Sequence, residues 1–372
     1  MSHISSRHAP HATATQLEPP HGAEPTAASG SLLGSRKGRL KLLLRILKLR
    51  IFVALAVVLL YFSLTTGNFL STANLLIMAQ HITVIAILSI GMTLVILTGG
   101  IDLSVGSVVG FSGMVAGFLI SRGIPIGDQV LLLNVFEVVV VTCLVGLAIG
   151  LVNGALVTWL NVAPFIATLG MLYVVRGAAL LFNDGATFSE LGGHAEFGNT
   201  GFALLGGGTL FNVGYPVWLL VAMTVLAAAI AARTPIGRYI YAIGGNERAA
   251  LFSGLKVKKV KLFVYAFSGF CAALVGLVVT SQLQTAHPMT GNTYELMAIA
   301  AVVLGGTALS GGRGTVIGSV IGACVISILN DGMVMSGVSS FWQMVIMGLV
   351  IILAVVIDQL QQRLQKKVMV AL

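Results

Sequence analysis

The stretch GMTLVILTGGIDLSVGSVVG (residues 91–110) carries one charged side chain, Asp102, among residues that are otherwise apolar, small or hydroxylated. Apolar runs of this kind recur along nearly the whole chain from Leu49 onward. Across the 372 residues, 57% are hydrophobic and 9% are charged, whereas a soluble domain has about 45–50% and about 25%. The hydrocarbon core of a bilayer is about 30 Å thick and needs about 20 apolar residues per helix. The sequence therefore predicts an all-α integral membrane protein and excludes a soluble fold.

Apolar runs long enough to span a bilayer predict about ten transmembrane helices. The approximate spans are residues 49–66, 75–97, 103–121, 130–152, 164–182, 215–232, 262–283, 295–311, 314–335 and 341–358. With ten crossings both chain termini lie on the same side of the membrane. Nine or eleven crossings would place them on opposite sides.

The placement of the basic residues assigns that side. Of the 21 Lys and Arg, seven lie in Arg36–Arg50, seven in Arg233–Lys261 and three in Arg363–Lys367. Cytoplasmic segments are enriched in Lys and Arg, so we predict that both termini and the loop 233–261 are cytoplasmic. The loop 183–214 carries acidic but no basic residues and is expected on the external side. The net charge of +9 therefore reports membrane topology, and no nucleic-acid partner is predicted.

Composition divides the chain into three parts. Residues 1–35 are rich in Pro, Ala, Ser, Thr and Gly and predict a disordered cytoplasmic tail. Residues 36–360 form the transmembrane domain, and residues 361–372 a cytoplasmic C-terminal tail. His3, His8, His11 and His21 are irregularly spaced, and Cys143, Cys271 and Cys324 lie inside apolar runs. We therefore predict no metal, cofactor or catalytic site, and interpret the cysteines as small packing residues.

Glycines repeat at four-residue intervals, which places them on one face of a helix. The aligned sets are Gly106 and Gly110; Gly113 and Gly117; Gly146, Gly150 and Gly154; and Gly314, Gly318 and Gly322. Small residues on one face allow the backbones of two membrane helices to approach closely. The pattern predicts a compact helix bundle and specifies no activity.

A pattern GGxxLSxG occurs twice, at Gly99–Gly106 and at Gly305–Gly312, 206 residues apart. Each copy follows a strongly apolar segment and precedes a glycine ridge. Duplicated units are common in transporters, which often bind substrate beside interrupted helices at the repeat interface. We interpret the recurrence of this pattern as an internal repeat. Coincidence in a glycine-rich chain is the alternative.

Several charged residues fall within or at the edges of the predicted spans, where a charge near the bilayer centre costs at least about 2.5–3.5 kcal/mol. Flanking glycines suggest broken helices at Asp102 and Arg313, and Asp102 is compatible with a functional or a structural role. Glu137 and Arg176 are predicted to be buried pairing residues. Asp331 is expected to reach the membrane interface.

A polar cluster is expected at the external end of two spans. It comprises Gln284, Asn292, Tyr294 and Glu295. Such a cluster suits a hydroxyl-rich ligand, although an ordinary solvated loop would have the same composition.

The basic loop contains a predicted short helix. Residues 234–261 read TPIGRYIYAIGGNERAALFSGLKVKKVK. Gly245-Asn246 is a helix start signal, the helix would cover Glu247–Ser253, and Gly254 would end it. A helix this short is unstable alone, so we expect it to dock onto another protein through Ala249, Ala250 and Phe252. A plain connector between spans is the alternative.

Three segments resemble one family. They are residues 91–110, the loop AIGGNERAALFSGL (242–255) and the run TYELMAIAAVVLGGTALSGGRGTVIGSVIGA (293–323). All three resemble the ribose, xylose and arabinose permeases of bacterial ABC importers, in the same order along the chain.

The resemblance implies a homodimeric ten-helix permease with a type II ABC importer-like bundle in the bacterial inner membrane. It would receive a monosaccharide (a pentose, hexose or polyol) from a periplasmic binding protein. Separate ABC ATPase subunits would drive the cycle, since the chain has no GxxxxGK[ST] loop of its own. The chain is thus expected to be neither an enzyme nor the site of ATP binding.

The resemblance also implies roles for particular residues. The coupling helix that docks into the ATPase would use Gly245, Asn246, Glu247, Ala249, Ala250, Ser253 and Gly254. Candidates for the translocation path are Asp102, Ser104, Glu295 and Asn330.

Two other transport functions remain open. An ion-coupled secondary transporter could use the carboxylates of Asp102 and Glu137, and an ABC permease for branched-chain amino acids would share the glycine-rich sequence. An intramembrane enzyme lacks support, since neither HExxH nor GxSxG occurs.

Overall fold

Helices make up most of the computed structural model, which describes residues 51–193, 195 and 198–370, with the side chains of 358 and 361–370 left aside. The predictions for the tail 1–35 with its histidines, for the basic block 36–50 and for the start of the first span lie outside the described residues. The described part belongs to one compact unit, residues 47–372.

The helices are, in chain order, α1 (Ile51–Thr65), α2 (Thr72–Leu97), α3 (Val105–Ser121), α4 (Val135–Thr158), α5 (Pro164–Leu181), α6 (Ala203–Gly207), α7 (Tyr215–Arg233), α8 (Pro235–Gly245), α9 (Glu247–Phe252), α10 (Val257–Leu283), α11 (Tyr294–Leu304), α12 (Val316–Met335) and α13 (Ser340–Val370). The strands are β1 (Ile124–Ile126), β2 (Gln129–Leu131), β3 (Phe188–Ser189), β4 (Thr209–Leu210), β5 (Val213–Gly214) and β6 (Thr285–Ala286). They pair antiparallel as β1–β2, β3–β6 and β4–β5. The fold is therefore mainly helical, with three small two-stranded sheets that the sequence did not predict.

All ten predicted spans overlap apolar helices. Within the described residues, seven helices are long and apolar enough to cross a membrane: α2, α4, α5, α7, α10, α12 and the Ser340–Ile357 part of α13. The helices α1, α3 and α11 are apolar but shorter. The membrane-spanning character is confirmed, and the number of ten crossings stays a prediction.

Several predicted spans have different bounds, and at two of them local turn chemistry overrides hydropathy. The span 130–152 is observed as α4, Val135–Thr158, because the β1–β2 hairpin occupies the preceding residues. Asn134 and Glu137 form a capping box, in which each side chain accepts a hydrogen bond from the other's backbone N–H, and this fixes the helix start. Glu137 is exposed, so its prediction as a buried pairing residue was wrong.

The second of these spans, 295–311, is shorter than predicted, since α11 ends at Leu304. At the other end of the chain, α13 continues to Val370 through the predicted C-terminal tail. Hydropathy marks apolar segments, whereas the end of a helix depends on its last hydrogen bonds.

Both copies of the repeated pattern end a helix with the same turn. After α2, Gly99 has φ +81° and its N–H donates to the carbonyl of Ile96, while the N–H of Gly100 donates to that of Val95. After α11, Gly306 has φ +88°, and the N–H groups of Gly306 and Thr307 donate to the carbonyls of Val303 and Val302. Both are Schellman motifs, which favour glycine because the residue after the helix is left-handed.

Superposing the two turns by their geometry shifts the alignment by one residue from that of the repeated sequence pattern. Gly99 corresponds structurally to Gly306, whereas the GGxxLSxG alignment pairs it with Gly305. The downstream segments also differ in length, since α3 starts at Val105 and α12 only at Val316. The internal duplication stays a prediction, and the structure adds that the two helix ends are alike.

The glycine ridges pack helices together as predicted, except that Gly314 precedes α12 and has φ +150°. α10 lies at the centre against α2, α3 and α4, and a Cβ added to Gly146 would come within 2.5 Å of the Gly269 carbonyl oxygen. An added Cβ at Gly318 or Gly322 of α12 would strike the backbone of α11. Because lipid is as apolar as a helix surface, close van der Waals packing is a main source of helix association in a bilayer.

Candidate functional site

The short helix α9 starts at Glu247 as predicted and ends at Phe252, one residue before the predicted Ser253. The side chain of Asn246 accepts a hydrogen bond from the N–H of Ala249 at 3.0 Å, which caps the helix. Gly254 follows the helix with φ +82°. The preceding helix α8 was not predicted; its start is capped by the Thr234 hydroxyl, which accepts a hydrogen bond from the Gly237 N–H.

The outward surface of α9 differs from the predicted one. Ala250 is buried, whereas Leu251 is exposed and the side chain of Phe252 is 88% exposed. Glu247 forms an ion pair with Lys261 of α10 at 2.7 Å, which ties the first turn of α9 to the next helix. The exposed apolar surface of α9 is therefore formed by Leu251 and Phe252, with Ala249 beside them, and its docking role stays a prediction.

The end of α8 contacts the end of α2 and the segment between α11 and α12. The N–H of Gly312 donates to the carbonyl oxygen of Leu97 at 3.0 Å, and a Cβ added to Gly244 would strike both of these groups. We call the contact between Leu97, Gly244 and Gly312 the glycine junction. It brings together one residue from each of the three segments that resemble the permease family.

A second bond strengthens this junction. The phenol of Tyr241 in α8 donates to the carbonyl oxygen of Gly314 at 2.9 Å. Burial raises the pKa of the Tyr241 phenol, so the hydroxyl stays protonated and remains a donor at neutral pH. Movement of α8 would therefore pull on the segment between α11 and α12.

The Asp102 carboxylate is buried between α3, α4 and α10. One oxygen accepts from the backbone N–H of Ser104 at 3.0 Å and from its hydroxyl at 2.7 Å, and the other accepts from the Ser268 hydroxyl at 2.9 Å. The Asn153 amide donates to the Ser104 hydroxyl at 2.8 Å. Neither Asp102 nor Ser104 lines the cavities described below. This arrangement orders the start of α3, and the predicted path role of both residues stays a prediction.

Arg176 holds the segment 287–293 against α3. Its guanidinium donates to the carbonyl oxygens of Pro288 at 2.5 Å, Thr290 at 2.9 Å and Gly106 at 3.2 Å. Carbonyl oxygens, rather than Glu137, thus satisfy this cation. A planar guanidinium suits the task because its donors are fixed in a fork.

Glu295 lies near Arg176 at the start of α11. Its side chain is buried, and a Cβ added to Gly106 would strike its carboxylate. The Gln284 amide donates to the carbonyl oxygen of Ser281 at 2.6 Å, and Glu295 packs against the first turn of α3. The predicted role of the four-residue polar cluster in ligand binding stays a prediction.

A cavity of about 360 Å³, which we call the polar cavity after its polar lining residues, lies between α2, α10, α11 and α12. Its polar lining residues are His81, Gln282, Tyr294, Ser327, Asn330 and Asp331. The predicted path residue Asn330 is one of them, and it also lines a neighbouring cavity of about 290 Å³ between α11, α12 and α13. Small-molecule sites have volumes of about 300–1,000 Å³, so the larger cavity has room for a monosaccharide.

Sequence reasoning missed most of this cavity. His81 and Asp331 lie on α2 and α12 and approach each other to 2.9 Å between His81 Nδ1 and Asp331 Oδ1. Asp331 therefore contacts another helix, whereas we had predicted an interfacial position. Ser327, Asn330 and Asp331 are spaced three and four residues apart on one face of α12, and this polar face was the available signal.

The chain matches the family described as "Branched-chain amino acid transport system / permease component" over residues 74–355. That range includes the junction, the buried Asp102 and the polar cavity. Together with the sugar-permease relatives that follow, it shows that the chain belongs to the family of sugar permeases of ABC importers. It is a multi-pass inner-membrane protein.

The chain aligns with three sugar permeases over nearly their whole length. The chain is 42% identical over 309 residues to the ribose import permease protein of Haemophilus influenzae, covering 83% of this chain and 92% of that protein. It is 36% identical over 309 residues to the D-allose transport system permease protein of Escherichia coli K12, covering 83% and 90%. It is 35% identical over 322 residues to the galactose/methyl galactoside import permease protein of the same strain, covering 85% and 95%. No solved structure matches the chain.

Proposed function

We propose that this chain is the membrane-spanning subunit of an ABC importer for a monosaccharide. Two copies form the translocation unit, with both termini in the cytoplasm. A periplasmic binding protein delivers the sugar, and separate ATPase subunits bind and hydrolyse ATP. The chain itself carries no cofactor and catalyses no chemical step.

The observation that carries the proposal is the agreement among the relatives. Permeases named for ribose, allose and galactose align over at least 83% of this chain and at least 90% of their own length. These three sugars are therefore the substrates to test first. Selection among them would rest largely on the binding protein, as the resemblance implies.

The geometry of α9 supports the coupling role. Leu251 and Phe252 project from a capped, exposed helix, and aromatic side chains of this kind anchor protein–protein interfaces. The adjoining glycine junction connects α8 to the ends of α2 and of the α11–α12 segment. A docked ATPase that moves α8 and α9 would thereby move helices that line the polar cavity, as in a rigid-body switch.

The second candidate function is import of branched-chain amino acids, which the description of the matching family favours. Identities of 35–42% to sugar permeases over most of the chain argue for a sugar. Uptake of leucine or isoleucine in place of the three sugars would establish this second candidate.

Transport in proteoliposomes tests the proposal. The permease is reconstituted with its partner ABC ATPase and sugar-binding protein, and uptake of radiolabelled ribose, allose and galactose is measured. We expect uptake of at least one of the three sugars. This uptake should require the binding protein, and it should require ATP on the side of the membrane that carries the ATPase. Accumulation driven by a proton or sodium gradient, without either partner, would establish a secondary transporter instead.

A substitution separates coupling from folding. Phe252→Ala should abolish ATPase association and uptake while leaving the melting temperature of the purified permease unchanged, because the side chain is 88% exposed. Phe211→Ala is the matched control, since Phe211 is 82% exposed in the predicted external loop. Glu247→Arg should also uncouple transport, but it breaks the ion pair with Lys261 as well, so Phe252 gives the cleaner test.

A further inference from the structure

We propose that the polar cavity between α2, α10, α11 and α12 is a sugar-binding station on the translocation path, in which Asp331 and Ser327 bind adjacent hydroxyl groups of a monosaccharide. This inference rests on the proposed function and adds the site within the membrane domain where the substrate pauses. Of the residues involved, only Asn330 was expected on the path.

Two polar atoms of cavity-lining residues have no hydrogen-bond partner within the described structure. They are Ser327 Oγ and Asp331 Oδ2, and both are buried. The Ser327 residue is only 5% exposed, and both residues line the cavity. Leaving a buried polar group without a partner is unfavourable, so a ligand whose hydroxyls reach these two atoms and supply the missing bonds is favoured.

His81 orients the Asp331 carboxylate. Asp331 Oδ1 is engaged by His81 Nδ1 at 2.9 Å, which leaves Oδ2 as the free acceptor. Ser327 precedes Asp331 by one helical turn on α12, so both side chains lie on the same face. A carboxylate oxygen that accepts and a hydroxyl that both donates and accepts together match a pair of neighbouring sugar hydroxyls.

The rest of the lining fits the same class of ligand. Gln282 and Asn330 offer amide donors and acceptors, and Tyr294 offers a phenol and an aromatic ring. The remaining wall is apolar, including Ile85, Val279 and Met297, and suits the C–H faces of a sugar ring. A few polar groups in a mostly apolar wall is the usual composition of a small-molecule site.

Two substitutions test the station in the reconstituted importer with labelled ribose, allose and galactose. Ser327→Leu fills the cavity, and Asp331→Asn removes the charged acceptor. For each we expect uptake to fall about tenfold or more, the effect of losing one charged hydrogen bond. ATP hydrolysis stimulated by the binding protein should continue, because the α9 surface is untouched. Ser336→Leu and Asp184→Asn, at exposed positions, are the matched controls and should transport as the wild type does.

The outcomes separate the station from the proposed function. Wild-type uptake by both cavity variants, with uptake still abolished by Phe252→Ala, would overturn the station and leave the importer in place. Gradient-driven accumulation that Asp331→Asn abolishes would make the cavity an ion site and would overturn both. If the wild-type importer takes up none of the three sugars, the proposed function fails and the station fails with it.

Discussion

The backbone N–H of Gly312 donates to the carbonyl oxygen of Leu97 at 3.0 Å, with Gly244 packed against both groups. This contact joins the segment between α11 and α12 to the last residue of α2, beside the end of α8. Gly244 can pack this closely against the two groups only because it has no side chain. The glycine junction is therefore a direct mechanical connection between the predicted coupling loop and the membrane bundle.

The first prediction concerns the junction. In Gly244→Ala the added methyl would strike the Leu97 carbonyl and the Gly312 N–H. We expect a loss of about 1–3 kcal/mol in stability, the usual cost of overpacking, seen as a lower melting temperature in detergent. Gly245→Ala is the matched control, since its methyl would meet nothing within 4 Å. Equal melting temperatures for the two variants would contradict the packing described here.

The second prediction concerns the cap of α9. Asn246→Ala removes the acceptor for the Ala249 N–H, and loss of such a cap costs a helix about 1 kcal/mol. Amide hydrogen exchange in residues 247–252 should become faster. Ser253→Ala, which removes only a hydroxyl that donates to the Ala249 carbonyl, should leave the exchange unchanged. Unaltered exchange in Asn246→Ala would show that the cap does not hold the helix.

The third prediction concerns the buried carboxylate. Asp102→Ala leaves three donors without an acceptor: the Ser104 N–H and the hydroxyls of Ser104 and Ser268. Because each unsatisfied buried group costs about 1–3 kcal/mol, the permease should lose at least about 3 kcal/mol of stability. Asp102→Asn keeps one acceptor oxygen and should lose less. Asp128→Ala, in the exposed β1–β2 turn, is the control. The melting temperature should be lowest for Asp102→Ala, higher for Asp102→Asn and unchanged for Asp128→Ala, and any other order would contradict this role of Asp102.

The fourth prediction concerns Arg176. Lysine cannot reproduce the fork that contacts the carbonyls of Pro288, Thr290 and Gly106. Arg176→Lys should therefore loosen the segment 287–293 and expose it to proteases. Arg122→Lys provides the comparison, since Arg122 donates to Asn183 at the surface. Identical cleavage patterns for the two variants would argue against this role.

Local chemistry made several features predictable. The membrane setting follows from composition alone, and glycine spacing indicated which helix faces approach each other. Asn246 and Gly254 marked the ends of α9 because capping depends on residues that are neighbours in sequence. By contrast, hydropathy does not detect a capping box, and the start of α4 and the role of Glu137 were missed for that reason.

The sequence by itself determined that this chain spans a membrane, where its helices pack, and to which family it is similar. Only the tertiary structure decided what the isolated polar residues do. His81 and Asp331 meet across α2 and α12, Arg176 binds carbonyls from two other segments, and Leu97, Gly244 and Gly312 converge. The physical reason is that hydrogen bonds between helices depend on the relative depth and rotation of those helices, which no local pattern encodes.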